Sequence, residues 1–155
     1  MVKLEDIIGV VQGLKGRTTD IVYDLFFSEK RVVAAVVLYF SDLTDIYEKF
    51  SLGTIMFGNL SERRIVKLRS LKLMDERRLA FKNKTLDEIL TLHEANLEID
   101  YEDVVSVTIR KGLLETSLEF VVQRRPEKKI DFRLERRQVA EVEGLINRVL
   151  PDKAK

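Results

Sequence analysis

Leu118, Phe120 and Val122 alternate with Glu119, Val121 and Gln123, and Ile130, Phe132 and Leu134 alternate with Asp131, Arg133 and Glu135. A period of two is the signature of a half-buried β-strand, because successive side chains leave a strand on opposite faces. Arg125-Pro126-Glu127 stands between the two stretches, with proline preset for a turn. The pair therefore reads as a hairpin, and pairing Phe120 with Phe132 keeps both apolar sets on one face and sets Glu119 opposite Arg133.

The same pattern recurs along the chain. Asp6–Gln12 reads as a strand, followed by a loop at Gly13-Leu14-Lys15-Gly16. In Asp20–Phe27, Ile21, Tyr23, Leu25 and Phe27 share one face, and Val22, Asp24 and Phe26 the other. Ser28-Glu29-Lys30 makes a tight turn into Val32–Tyr39, which is rich in β-branched residues, so these two strands form a hairpin. Leu97–Tyr101 and Val104–Arg110 supply two more strands. Arg136–Leu150 is helical, with Val139, Val142, Ile146, Val149 and Leu150 as its stripe and Pro151 as its stop.

Between strands three and four lies an insert of about residues 41–94 with a different period. Ser41-Asp42 caps a short helix, Gly53 and Gly58 interrupt it, and Ser61 starts a longer helix to about Phe81. Its apolar positions Ile65, Leu68, Leu71 and Leu79 form a broad arc, with Val66 and Leu73 to the side. Thr85-Leu86-Asp87-Glu88 fits a capping box, after which Leu86, Ile89, Leu90 and His93 line one face. The fold class is α+β and mainly antiparallel β. Seven amphipathic strands should curl into a small barrel, capped at one end by the C-terminal helix, since open edges are a liability. The 155 residues suit one domain over 1–155.

The stretches "YDLFFSEKRVV" (Tyr23–Val33), "TLDEILTLHEANLEIDYEDVVSV" (Thr85–Val107) and "IDFRLERRQVAEVEGLINRVLPDK" (Ile130–Lys153) carry a resemblance. With this strand order, the chain resembles the pleckstrin-homology (PH) superfold, and more closely an uncharacterised family of prokaryotic PH-like proteins, many of them archaeal. The resemblance implies a fold and little chemistry. PH domains that bind phosphoinositides carry a basic motif across their first two strands; here that zone offers Lys15 and Arg17.

Composition narrows the function classes. The absence of cysteine removes disulfides, thiolate nucleophiles and cysteine metal sites, and the single histidine, His93, removes a multi-histidine site within one chain. Net charge is +1, so no global field draws the chain to nucleic acid or membrane. The longest apolar run, Val32–Phe40, has nine residues against the roughly 20 of a spanning helix. A soluble cytoplasmic protein is the expectation. No phosphate-binding loop, dinucleotide fingerprint or nucleophile elbow is present.

Four local features carry the candidate chemistry. Glu98, Asp100 and Glu102 should share the wet face of a strand, since same-face carboxylates stand roughly 7 Å apart; metal ligation or acid–base work is the sharper alternative. Residues 61–84 hold nine basic residues and three acids, so +6, while residues 85–109 hold seven acids and no Lys or Arg, so −7. Such blocks pair within a fold or between subunits, or the basic helix (Arg63, Arg64, Lys67, Arg69, Lys72, Arg77, Arg78) meets an acidic partner. No aromatics interleave with it, which disfavours nucleic acid. A basic rim of Lys15, Arg17, Arg124, Arg125, Lys128 and Lys129 would assemble if their loops share one end of the barrel. His93 reads as a core or cap residue, or less simply as a general base.

The expectation is a noncatalytic interaction module that binds protein and itself, with Ile65, Leu68 and Leu71 as the self-association surface. It needs no catalytic residue, metal or cofactor. The alternative is a peripheral domain bound to anionic membrane through the basic rim, and a second alternative is a carboxylate- or metal-dependent enzyme.

Overall fold

Residues 5–16, 21–39, 41–42, 45–46, 60–123 and 126–155 (side chains from 64 within the helix that starts at 60) are described in a computed structural model. Seven strands run β1 (Ile7–Lys15), β2 (Val22–Ser28), β3 (Arg31–Leu38), β4 (Leu97–Asp100), β5 (Val104–Lys111), β6 (Thr116–Val122) and β7 (Lys128–Leu134). Helices α1 (Leu60–Phe81) and α2 (Leu86–Leu90) stand between β3 and β4, and α3 (Val139–Val149) follows β7. Three-residue 3-10 turns, Tyr101–Asp103 and Arg136–Gln138, precede β5 and α3.

The strands form one antiparallel sheet in the order β4-β3-β2-β1-β7-β6-β5. It is not closed into a barrel, contrary to the expectation from the alternating strands. The reason lies at the β4–β5 corner. The 3-10 turn carries the chain round it: Tyr101 N–H donates to Lys30 O at 3.0 Å and Gln123 N–H to Asp103 O at 2.6 Å. Single hydrogen bonds on either side of the turn take the place of a β4–β5 ladder. The β1–β7 junction is equally brief, with Lys15 opposite Arg133 as its registered pair.

The inner face carries the main core. Leu14, Leu25, Phe27, Val32 and Ile99 meet Val107, Leu118, Phe120 and Phe132, and α3 drops Val142, Ile146 and Leu150 onto them. Burying side chains of this size stabilises by about 1.5–3 kcal/mol each, so nine such residues outweigh any surface pair. The C-terminal stripe read from the sequence is thus the face α3 uses. At Gly9 the approach is close enough that a Cβ would sit 2.6 Å from Leu145 Cδ2.

The outer face of β2 and β3 is buried too. Phe26, Val33, Ala35 and Val37 pack against Phe81, Leu86 and Ile89, with the Phe26 and Phe81 rings edge to face at 5.7 Å. Residues Val32–Leu38 are therefore all buried, which is why this stretch is an unbroken apolar run. The capping box holds α2: Thr85 Oγ1 accepts from Glu88 N–H at 3.1 Å, and Glu88 Oε1 accepts from Thr85 N–H at 3.2 Å.

Two local expectations are corrected. β1 runs on to Lys15, into the expected Gly13–Gly16 loop, because Gly13 takes a positive φ of 76° and absorbs an irregularity opposite β2. In the β6–β7 hairpin Phe120 faces Ile130 and Phe132 faces Leu118, two residues away from the expected register. The face is unchanged, since a slip of two preserves the alternation. Pairing runs from Thr116 opposite Leu134 to Val122 opposite Lys128. The two phenylalanines meet diagonally at 6.5 Å. Glu119 then faces Asp131, and its charge is met by Arg110 of β5 at 3.3 Å.

Candidate functional site

The acidic stretch after α2 resolves into separate structural roles. Glu98 leaves β4 on its exposed side and lies 3.3 Å from Arg31. Asp100 Oδ1 accepts from Glu102 N–H at 3.1 Å and caps the 3-10 turn. Glu102 stands in that turn, so it does not continue the strand face of Glu98 and Asp100. Among the described residues no group of three His, Asp or Glu is placed to hold a metal ion.

Arg31 is the hub of this end. Its guanidinium reaches Glu5 at 2.8 Å, Asp87 at 2.9 Å and Glu98 at 3.3 Å. The Ser28 hydroxyl lies 2.6 Å from Glu5 Oε1 and accepts the N–H groups of Lys30 and Arg31. Burial pushes the Glu5 carboxyl up, yet its bonds from Arg31 and Ser28 hold it below the usual carboxylate range. Burial likewise opposes the charge on Arg31, and Glu5 and Asp87 more than restore it, so its pKa is raised. Beside the hub, burial raises the Tyr101 phenol, with the Glu5 charge adding to it, while the hydroxyl donates to Ser28 O at 2.7 Å. A cleft of about 510 Å³ opens here, with six carboxylates (Glu5, Asp6, Glu29, Asp87, Glu98, Asp100) against Lys30 and Arg31.

A second constellation fastens α1 to the sheet. Asp24, on the outer face of β2, is 1% exposed and takes both oxygens to Arg78, at 2.7 and 2.9 Å. Asp24 Oδ1 also accepts from Gly13 N–H at 3.0 Å. Next to it in the helix, Arg77 grips Asp42 at 2.5 and 2.7 Å and donates to Val37 O at 3.1 Å. Their carboxylates hold both arginines above the usual guanidinium value. Burial pushes the Asp42 carboxyl up, but Arg77 and the Tyr39 N–H bring it below its ordinary range. Arg77 and Arg78 thus pair with Asp42 and Asp24, while Asp87 and Glu98 of the acidic stretch pair with Arg31. For Arg77, Arg78, Asp87 and Glu98 the partner lies outside the opposite block.

The face of α1 that meets the sheet is not its more apolar arc. Val66, Ser70 and Phe81 are buried and Met74 packs beside them. Ile65, Leu68, Leu71 and Leu79 are exposed instead. The arginine pairs and Phe81 select the face, and the more apolar arc is left outside.

His93 lies past the end of α2 rather than on it. Its Nδ1 accepts from Ala95 N–H at 2.9 Å and its ring tilts against Tyr39 at 4.8 Å, the placement of a turn-capping residue.

Of the expected basic rim, Arg17, Arg124 and Arg125 lie outside the described residues. Lys128 and Lys129 are exposed at the start of β7. Lys15 pairs with Arg133 near the other end of β7, four and five positions away, or about 13–17 Å along the strand. The structure does not bring Lys15 to the lysine pair.

A feature that sequence reasoning passed over lies at the β5–β6 turn. Gly112 N–H donates to Glu115 O at 2.8 Å, and Leu113 and Leu114 between them are fully exposed, at 101% and 97%. The available signal was two adjacent leucines in a turn, where strand alternation gives them no face. Lys15, Arg133 and Arg136 line the same cleft of about 410 Å³ as these leucines.

No protein-family model matches the chain, and no curated protein matches it either.

Proposed function

We propose that the chain is a noncatalytic PH-like interaction module that associates with a second copy of itself through the outer face of α1. One observation carries the reading. Leu68, Lys72, Asp75 and Leu79 are all exposed, with Leu68 at 65% and Leu79 at 60%. At 100° per residue they fall in a single column, opposite the Val66, Ser70, Phe81 face packed on the sheet.

The spacing of that column, four, three and four, is the same read in either direction. Two copies of α1 laid antiparallel about a two-fold axis would set Leu68 against Leu79 twice and Lys72 against Asp75 twice. Such an isologous contact is the commonest way that identical chains meet. Ile65 and Leu71, 39% and 42% exposed, flank the column and widen its apolar area. The PH-like reading of the fold is supported by seven antiparallel strands, a C-terminal helix on the core and helices between β3 and β4.

Light scattering and sedimentation across a concentration series test the proposal. A mass of two chains that reverts to one in Leu68→Glu, with the melting temperature of the monomer unchanged, is the expected result. The charge-reversed pair gives a sharper check: Lys72→Asp alone weakens association, and Lys72→Asp with Asp75→Lys restores it. A wild-type chain that stays monomeric at high concentration overturns the reading.

A further inference from the structure

Leu113 and Leu114 have no structural task at the tip they occupy. The turn is closed by the Gly112–Glu115 bond, and the strands below it are paired through Lys111 opposite Thr116. Neither leucine touches the core, and both lie wholly in solvent. The turn is also tight. A Cβ at Gly112 would stand 2.7 Å from Glu115 O, so the leucines are held out on a tight turn that only glycine fits.

Charge surrounds the tip unevenly. Arg110 pairs with Glu119 at 3.3 Å, Lys111 with Glu143 at 3.6 Å, Arg133 with Glu115 at 3.3 Å and Arg137 with Glu135 at 2.6 Å. Lys15 and Arg136 remain, exposed and with no acid opposite them among the described residues. The collar is therefore six cations against four acids, with the two surplus cations in the same cleft as the leucines.

Size decides what such a tip fits. Two leucines offer on the order of 200 Å² of apolar surface, a quarter of the ~800 Å² per partner of a stable protein interface. A convex apolar point with cations behind it suits a surface that yields around it. Amphipathic elements sink about 5–10 Å into the headgroup boundary of a bilayer, with basic residues drawn to anionic lipid. We infer that the β5–β6 tip docks on an anionic lipid bilayer, Leu113 and Leu114 entering the headgroup boundary and Lys15 and Arg136 meeting lipid phosphates and carboxylates. This surface is separate from the α1 column, and the inference does not rest on self-association.

Vesicle flotation tests it, using phosphatidylcholine vesicles with and without about a third phosphatidylserine, at low and high salt. The full chain should float with the anionic vesicles and do so less at high salt, since surface charges are screened within about 10 Å at 0.1 M. Leu113→Ser with Leu114→Ser should cut partitioning about tenfold or more at either salt, because a full leucine transfer alone is worth that factor. Lys15→Glu with Arg136→Glu should cut it several-fold and flatten the salt dependence. Lys128→Glu with Lys129→Glu, remote from the tip, should leave it unchanged. All these positions are exposed, and unaltered melting temperatures confirm that folding is intact. No flotation of the wild-type chain overturns the inference. So does flotation that the leucine pair does not affect.

Discussion

Replacing Arg78 with methionine tests whether α1 is held to the sheet by the Asp24–Arg78 pair. Methionine keeps most of the aliphatic stem and removes the guanidinium, which leaves the Asp24 carboxylate, 1% exposed, with Gly13 N–H as its remaining bond. Removing one partner of a buried ion pair costs about 3–5 kcal/mol, because the other charge stays desolvated. Arg78 is 22% exposed, so water already screens part of the pair and the lower figure, about 3 kcal/mol, applies. In a domain of this size each 1 kcal/mol moves the melting temperature by about 2–4 °C, giving a fall of roughly 6–12 °C. Asp24→Asn is milder. It keeps an acceptor for Gly13 N–H, and Arg78 retains Asp75 at 3.7 Å, so about 1–2 kcal/mol is lost. The double variant should cost at least about 1 kcal/mol less than the sum of the two, the sign of direct coupling. Urea unfolding followed by circular dichroism reads all three. A loss below about 1 kcal/mol in Arg78→Met, or additive losses in the double variant, would refute the clamp.

Acid should loosen the same framework. Glu5 and Asp42 both sit below their ordinary values of 4.5 and 3.8 in the folded chain. The unfolded chain then binds protons more readily, so the stability these groups supply is full well above pH 4.5, begins to fall near it and is lost as pH falls through the folded values. Urea midpoints at pH 7, 4.5 and 3 should decline in that order, and Glu5→Gln should flatten the decline; equal midpoints at pH 7 and 3 would contradict it. Gly144, in α3, has open space where a Cβ would stand, with nothing within 4 Å, so Gly144→Ala should stabilise by about 0.5–1 kcal/mol through helix propensity alone. A lower melting temperature in that variant would mean that α3 packs differently from the structure.

Much of the fold was legible in the residues. Alternation located β2, β6 and β7 and their inward sets, Thr85 and Glu88 announced the start of α2, and Val142, Ile146 and Leu150 marked the face of α3. Each of these signals is local, so the residues that carry it are neighbours in the chain. What was not legible depends on residues far apart. The β6–β7 register was missed by two because alternation is blind to an even slip. The packed face of α1 could not be read, because counting apolar positions picks out Ile65, Leu68 and Leu71, which stay exposed. The face that won is chosen by Arg77 and Arg78 meeting Asp42 and Asp24, 35 and 54 residues away. The open β4–β5 corner follows from the turn at Tyr101, whose partner Lys30 lies in another hairpin. At the candidate sites, Glu98 and Asp100 take up an ion pair and a turn cap, roles that strand alternation alone does not distinguish from a solvated face. The exposed leucine tip was passed over because it belongs to no periodic element.

The junction of β1 and β7 bears on how the chain is made. Lys15 and Arg133 are neighbours in the sheet and 118 residues apart in translation (133 − 15). At about 5–20 residues per second, the ribosome takes about 6–24 s to deliver the second strand after the first. The β1–β4 half, with α1 and α2 on its outer side, is complete in the nascent chain well before then. Its inner face, with Leu14, Leu25, Phe27 and Val32, stays uncovered until β5–β7 and α3 emerge. For those seconds the half-made protein shows an apolar sheet to the cell, and β1 holds out an unpaired edge. The window between the two halves is when a nascent chain of this topology is most open to chaperones and to its neighbours on the same message.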